Sequence, residues 1–146
     1  MTPTHPTHLI DTDWVIHYLN GNAEVIQRLR KLEAGALAIS VVSLAELWEG
    51  VYYSKDPGGS EAVLNNFVRG NLVLGIDEET CKVFGKERGR LRSRKKKIAD
   101  FDLLIGSTAL QHNLMLLTNN RRDFDQIEGL EIVSIDAPPQ GKSPRR

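Results

Sequence analysis

Cysteine is all but missing from this chain. Cys81 is the single thiol in 146 residues, so an intrachain disulfide is excluded and a reducing, cytoplasmic setting is expected. Net charge is missing too: 19 Lys and Arg balance 19 Asp and Glu, so only local charge can select a partner. No apolar run comes near the roughly 20 residues needed to span a bilayer, so no membrane-spanning helix is expected. The opening Met1-Thr2-Pro3-Thr4-His5-Pro6 lacks the basic start and apolar run of a signal peptide. No internal repeat stands out. What remains is ordinary for a folded domain: 40% apolar and 26% charged residues, in a length typical of one domain. A chain this long buries roughly 70% of its unfolded surface. Collagenous, rod-like and wholly disordered chains are thereby set aside.

The apolar pattern divides the chain. Residues 1–7 read as a mobile leader, 8–136 as one domain, and 137–146, rich in Pro, Lys and Arg, as a disordered tail. Short apolar runs at 8–11, 37–39, 72–74, 115–117 and 131–133 predict strands. Helices are predicted over 14–19, 23–32, 43–53, 62–68, from about 77 onward, and over 101–112. Asp56-Pro57-Gly58-Gly59 reads as a loop. Apolar strands alternating with helices imply a single α/β domain: a parallel twisted sheet of four or five short strands with helices on both faces. In such sheets ligands bind beyond the carboxyl ends of the strands.

Those ends are acidic. Asp11 and Asp13 close the first strand, Glu46 lies in the helix after the second, and Asp100 and Asp102 begin the helix before the fourth. Thr118-Asn119-Asn120 closes the fourth strand, and Asp123 follows one turn later. With parallel strands these groups share one edge. Two carboxylates about 4 Å apart repel by about 4 kcal/mol at an effective dielectric of 20, a cost that a divalent cation removes. Oxygen donors without a Cys/His cluster suit Mg²⁺ or Mn²⁺ better than Zn²⁺. Such a metal binds phosphate oxygens and activates water for phosphodiester hydrolysis. Each acid also has a purely structural reading. Ser43-Leu44-Ala45-Glu46 fits a capping box, Asp100 an N-cap, Asp102 a first-turn acid matched to the helix dipole, and Asp123 the cap of a turn. Two details resist it: Asp11 ends a buried strand, and Asp102 shares a helix face with the small Gly106 and Ala109.

Four segments, taken in order, resemble the PIN-domain family, specifically the VapC-type toxins of bacterial toxin–antitoxin pairs. Leu-Ile-Asp-Thr-Asp (9–13) resembles the opening motif, with Asp13 where the family more often has Asn. Ile-Ser-Val-Val-Ser-Leu-Ala-Glu-Leu-Trp-Glu-Gly (39–50) resembles the glutamate motif. Ala-Asp-Phe-Asp-Leu-Leu-Ile-Gly-Ser-Thr-Ala-Leu (99–110) resembles the third, whose shared acid three residues before Ile selects Asp102 over Asp100. Leu-Thr-Asn-Asn-Arg-Arg-Asp-Phe (117–124) resembles the last, whose acid falls on Asp123. The resemblance implies an endoribonuclease with Asp11, Glu46, Asp102 and Asp123 around Mg²⁺ or Mn²⁺. Asp11 and Asp102 would be ligands, Glu46 and Asp123 ligands directly or through water, and a metal-activated water would attack the phosphorus. Asp13, Asp100, Thr118 and Asn120 would support that shell. It further implies an RNA substrate, a small cognate antitoxin as inhibitor, and a homodimer.

Residues 86–97 carry eight basic side chains and one acid, leading straight into Asp100 and Asp102. They read either as a solvated helix face or as a phosphate-tracking patch in which Arg88, Arg92, Arg94, Lys95, Lys96 and Lys97 contact RNA. Little aromatic interleaving argues against base stacking. Two rival readings stand beside the nuclease. One is a catalytically silent RNA- or partner-binding domain on the same fold. The other is a phosphatase of the haloacid dehalogenase type, which Asp11-Thr12-Asp13 and Leu116-Leu117-Thr118-Asn119 also resemble. Too little chain follows Thr118 for the lysine and acidic pair that the phosphatase requires.

Overall fold

Three residues suffice for β1 (His8–Ile10) because a parallel partner flanks it on each side. In a computed structural model, which describes residues 5–135, β1 is joined by β2 (Leu37–Ser40), β3 (Leu72–Leu74), β4 (Met115–Leu117) and β5 (Ile132–Val133). All pairs are parallel, in the order β3-β2-β1-β4-β5. The start of the expected leader (1–4) and the expected tail (137–146) lie outside the described residues. Thr7 is already ordered, its N–H donating to Ala36 O at 2.8 Å.

Side chains alternate across a strand, and here both faces are buried. Leu9, Ala38 and Leu116 point into one core with Leu91, Leu103, Ile105 and Phe124. Ile10, Ile39 and Leu117 point into the other with Trp14, Val25, Leu47 and Phe67. Each of the leucine, isoleucine, valine and phenylalanine side chains contributes about 1.5–3 kcal/mol by leaving water, which explains near-continuous apolar strands rather than alternating ones.

The helices are α1 (Thr12–Leu19), α2 (Ala23–Arg30), α3 (Val41–Tyr52), α4 (Pro57–Arg69), α5 (Glu78–Ser93), α6 (Asp100–Gln111) and α7 (Arg121–Phe124). Several helix starts differ from expectation, those of α3 and α4 for a capping reason. α3 begins at Val41, because Ser40 Oγ accepts the Val42 N–H at 3.0 Å. The proposed capping box at Ser43 and Glu46 therefore does not form. α4 begins at Pro57: Asp56 caps it by accepting the Gly59 N–H, and proline suits the first helical position. The expected loop is thus a helix start. α6 is preceded by Ala99, so Asp100 is its first residue and not its N-cap. α7 is a single turn that the sequence pattern does not announce. Among the described residues no helix is long and apolar enough to cross a membrane.

Candidate active site

The sheet register builds the site. Ile10 pairs with Ile39 on one side and Leu117 on the other. The next residues, Asp11, Ser40 and Thr118, therefore stand in one row at the carboxyl edge. Asp11 caps α1 and is only 5% exposed. Its Oδ1 accepts the Thr12 N–H at 2.8 Å and its Oδ2 accepts the Thr118 hydroxyl at 2.7 Å. Burial pushes this carboxyl from its ordinary 3.8 up to about 8; Asp13 and Asp102 add to the rise, while the Thr118 and Thr12 hydrogen bonds oppose it. The strongest charges acting on Asp11 are thus two further carboxylates.

Glu46 and Asp123 are tied to Asp11 by short relays. Thr12 Oγ1 donates to Glu46 Oε1 at 2.7 Å, so one residue binds both acids, through its N–H and its hydroxyl. On the other side the Asn120 N–H donates to Thr118 Oγ1 at 3.0 Å, and Asn120 Nδ2 donates to Asp123 Oδ2 at 3.2 Å. Asp13 Oδ2 accepts the Asn119 N–H at 3.1 Å. The Asn119 side chain links three segments: its Oδ1 accepts Trp14 Nε1 at 3.0 Å and the Ile135 N–H at 3.1 Å. The sequence gives no signal for the linking roles of Thr12 and Asn119. Both lie inside the quoted motifs, and only the fold reveals that they join strand ends more than 30 residues apart.

Asp100 and Asp102 separate cleanly. Two residues along a helix is about 200° of rotation, so they point in nearly opposite directions. Asp102 acts on Asp11. Asp100 instead pairs with Arg88 Nη2, and Arg88 Nη1 donates to Ile98 O at 3.0 Å. Gly106, on the Asp102 face, lets Ile127, Leu130 and Phe124 approach; a Cβ there would lie 2.5 Å from Ile127 Cδ1. Close packing of α6 against α7 brings the helix of Asp102 beside that of Asp123.

The basic run is two populations. Arg88 has 18% side-chain exposure, pairs with Asp100 and donates to Ile98 O. Arg90 is also internal: it clasps the buried Glu87 through two nitrogens and donates to Gln126 O at 2.6 Å, while Glu87 Oε2 accepts the Glu128 N–H at 3.0 Å. Arg92, Arg94, Lys95, Lys96 and Lys97 remain exposed. Lys95 sits at φ 58°, in the turn that ends α5.

Oxygen donors alone meet at this edge, which is the chemistry of a hard divalent cation. Among the described residues, no three His, Cys, Asp or Glu side chains form a ready-made metal cage. Mg²⁺ does not require one: it is usually held by one or two carboxylates and keeps several waters. The donor set fits such an ion.

A model of the PIN domain matches residues 8–130. The chain belongs to the PIN-domain family. It is 30% identical over 122 residues to the tRNA(fMet)-specific endonuclease VapC of Shigella flexneri, covering 84% of this chain and 92% of that one. It is 33% identical over 126 residues to ribonuclease VapC1 of Methanocaldococcus jannaschii, covering 85% of each. A crystal structure of DNA-bound VapBC from Salmonella typhimurium superposes with a TM-score of 0.83 at 27% identity, covering 88% of this chain and 98% of that one. The PIN assignment replaces the haloacid dehalogenase alternative for Asp11-Thr12-Asp13.

Proposed function

We propose that this PIN domain is the toxin of a type II toxin–antitoxin pair, a metal-dependent endoribonuclease that hydrolyses RNA phosphodiester bonds. The observation that carries the reading is the buried Asp11, pressed by Asp13 and Asp102 with its carboxyl raised to about 8. Crowded carboxylates at a ligand-binding sheet edge gain most from a cation. Asp11 and Asp102 would hold Mg²⁺ or Mn²⁺, with Glu46 and Asp123 contributing directly or through water. Such an ion neutralises phosphate oxygens and makes water a competent nucleophile at neutral pH.

The chain's own groups set the geometry. Thr118 fixes Asp11 Oδ2, Thr12 fixes Glu46, and Asn120 fixes Asp123. Held carboxylates lose less freedom when the ion and RNA arrive. Asp13 adds negative charge at the edge, and Asp100 acts only through Arg88. Arg92, Arg94 and Lys95–Lys97 give phosphate contacts beside the cleft. The related VapBC complexes support an antitoxin partner for this chain; a homodimer rests on the family resemblance alone.

The test is cleavage of RNA by purified protein with Mg²⁺, with Mn²⁺ and with EDTA. Cleavage should require the ion and be suppressed by a co-expressed antitoxin encoded next to this chain. Undiminished cleavage by the metal-free protein would overturn the mechanism.

A further inference from the structure

Buried polar atoms in folded proteins nearly always have a partner. Ser43 Oγ has none, although the residue is completely buried. A helical serine usually escapes by donating to the carbonyl one turn back, as Ser107 does to Leu103 O at 2.7 Å. Ser43 does not take that route. An unpaired buried hydroxyl is destabilising, so alanine would serve a dry helix seam better.

The position of Ser43 on α3 shows where the hydroxyl lies. At about 100° per residue, the order around the helix is Val42, Glu46, Ser43, Leu47. Val42 packs in the core half that contains Leu103 of α6, and Leu47 in the half that contains Trp14 and Val15 of α1. Ser43 and Glu46 therefore occupy the strip between those contacts, facing the seam of α1 and α6. The first turns of these two helices carry Asp13 and Asp102.

We propose that Ser43 is a further residue of the cation site, its Oγ hydrogen-bonding a water that the ion keeps among Asp11, Asp102 and Glu46. The inference rests on reading those acids as a cation site. Mg²⁺ gives up its waters reluctantly, and a buried water needs two to four polar partners. A hydroxyl suits this, since it both donates and accepts. In the metal-free protein the same hydroxyl has nothing to bond.

Mn²⁺ titration followed by electron paramagnetic resonance tests this without RNA or turnover. Wild type, Ser43→Ala and Asp102→Asn are compared, with thermal melts of each in EDTA. Ser43→Ala should bind Mn²⁺ about tenfold more weakly, the usual scale for groups that support a metal from beyond its ligands. In EDTA it should melt at or above the wild-type temperature, because it loses no hydrogen bond. Wild-type Mn²⁺ affinity in Ser43→Ala would overturn the role of Ser43 and leave the cation site standing. Lower stability of Ser43→Ala in EDTA would also overturn it, since the hydroxyl would then have a partner without metal. No Mn²⁺ binding by wild type, or undiminished binding by Asp102→Asn, would remove the cation site and this inference with it.

Discussion

Asp11→Asn should make the metal-free protein more stable at pH 7, although it removes a residue from the proposed reaction centre. Asp11 titrates at 3.8 when free in water and at about 8 in the fold. Folding therefore takes up a proton between those two pH values. The contribution of the buried neutral carboxyl is complete below 3.8 and is lost progressively as pH rises to about 8. The loss runs at about 1.4 kcal/mol per pH unit, so by pH 7 it amounts to roughly 4 kcal/mol. Asparagine carries no proton to lose. It also fits the local bonds: Oδ1 can accept the Thr12 N–H, and Thr118 can turn its hydroxyl to accept from Nδ2. Urea unfolding in EDTA, followed through the buried Trp14, gives the free energy at each pH. The advantage of the variant should grow steadily from pH 4 to pH 8. Parallel stability curves across that interval, or a variant less stable throughout, would refute the crowded-acid reasoning.

Three further outcomes are expected. Glu46→Gln, Asp102→Asn and Asp123→Asn should each slow RNA cleavage by at least roughly tenfold while keeping the wild-type circular dichroism spectrum; Asp100→Asn, which breaks only the Arg88 pair, should stay near wild type. Replacing Arg92, Arg94, Lys95 and Lys96 by Gln should weaken RNA binding in Ca²⁺ and flatten its salt dependence by about 0.7 in log–log slope per lost phosphate contact. An unchanged slope would leave these residues a solvated face or a partner surface. Glu87→Gln should lower the melting temperature by several degrees. Desolvation alone would raise the Glu87 carboxyl, but the Arg90 contacts and the Glu128 N–H outweigh it and hold the group below 4.5. Its stabilisation is therefore present above that pH and fades in acid, so the gap between wild type and variant should close as pH falls.

Strands were legible because burial on both faces leaves apolar runs such as Leu37-Ala38-Ile39 with little competing signal. The acids were legible as well, since parallel strands force their carboxyl ends to one edge. Helix starts were less so. Ser43 looks like a cap in the sequence, and only the length of β2 gives that role to Ser40 instead. Asp56-Pro57 carried the right signal, a cap followed by proline, but the two glycines after it pointed to a loop. The basic run misled for a different reason. Composition cannot distinguish a solvated arginine from one that ties a turn, and the partners of Arg88 and Arg90 include backbone carbonyls, Ile98 O and Gln126 O. Thr12 was passed over because threonine between two aspartates has no distinctive pattern; its value comes from lying across from Glu46, 34 residues away.

The central place of β1 has a consequence for synthesis. β1 is completed by β4, and Asp11 waits for a hydroxyl 107 residues further along the chain. Pairing at such separation is slow and late, because closing the loop must precede any reward from the contact. A ribosome that has made only β1 to β3 has produced an open sheet edge and unanchored acids, without Thr118, Asn120 or Asp123. Competence for cutting RNA would then arrive all at once, when β4 and α7 have been made, and a chain broken off before β4 would be inert.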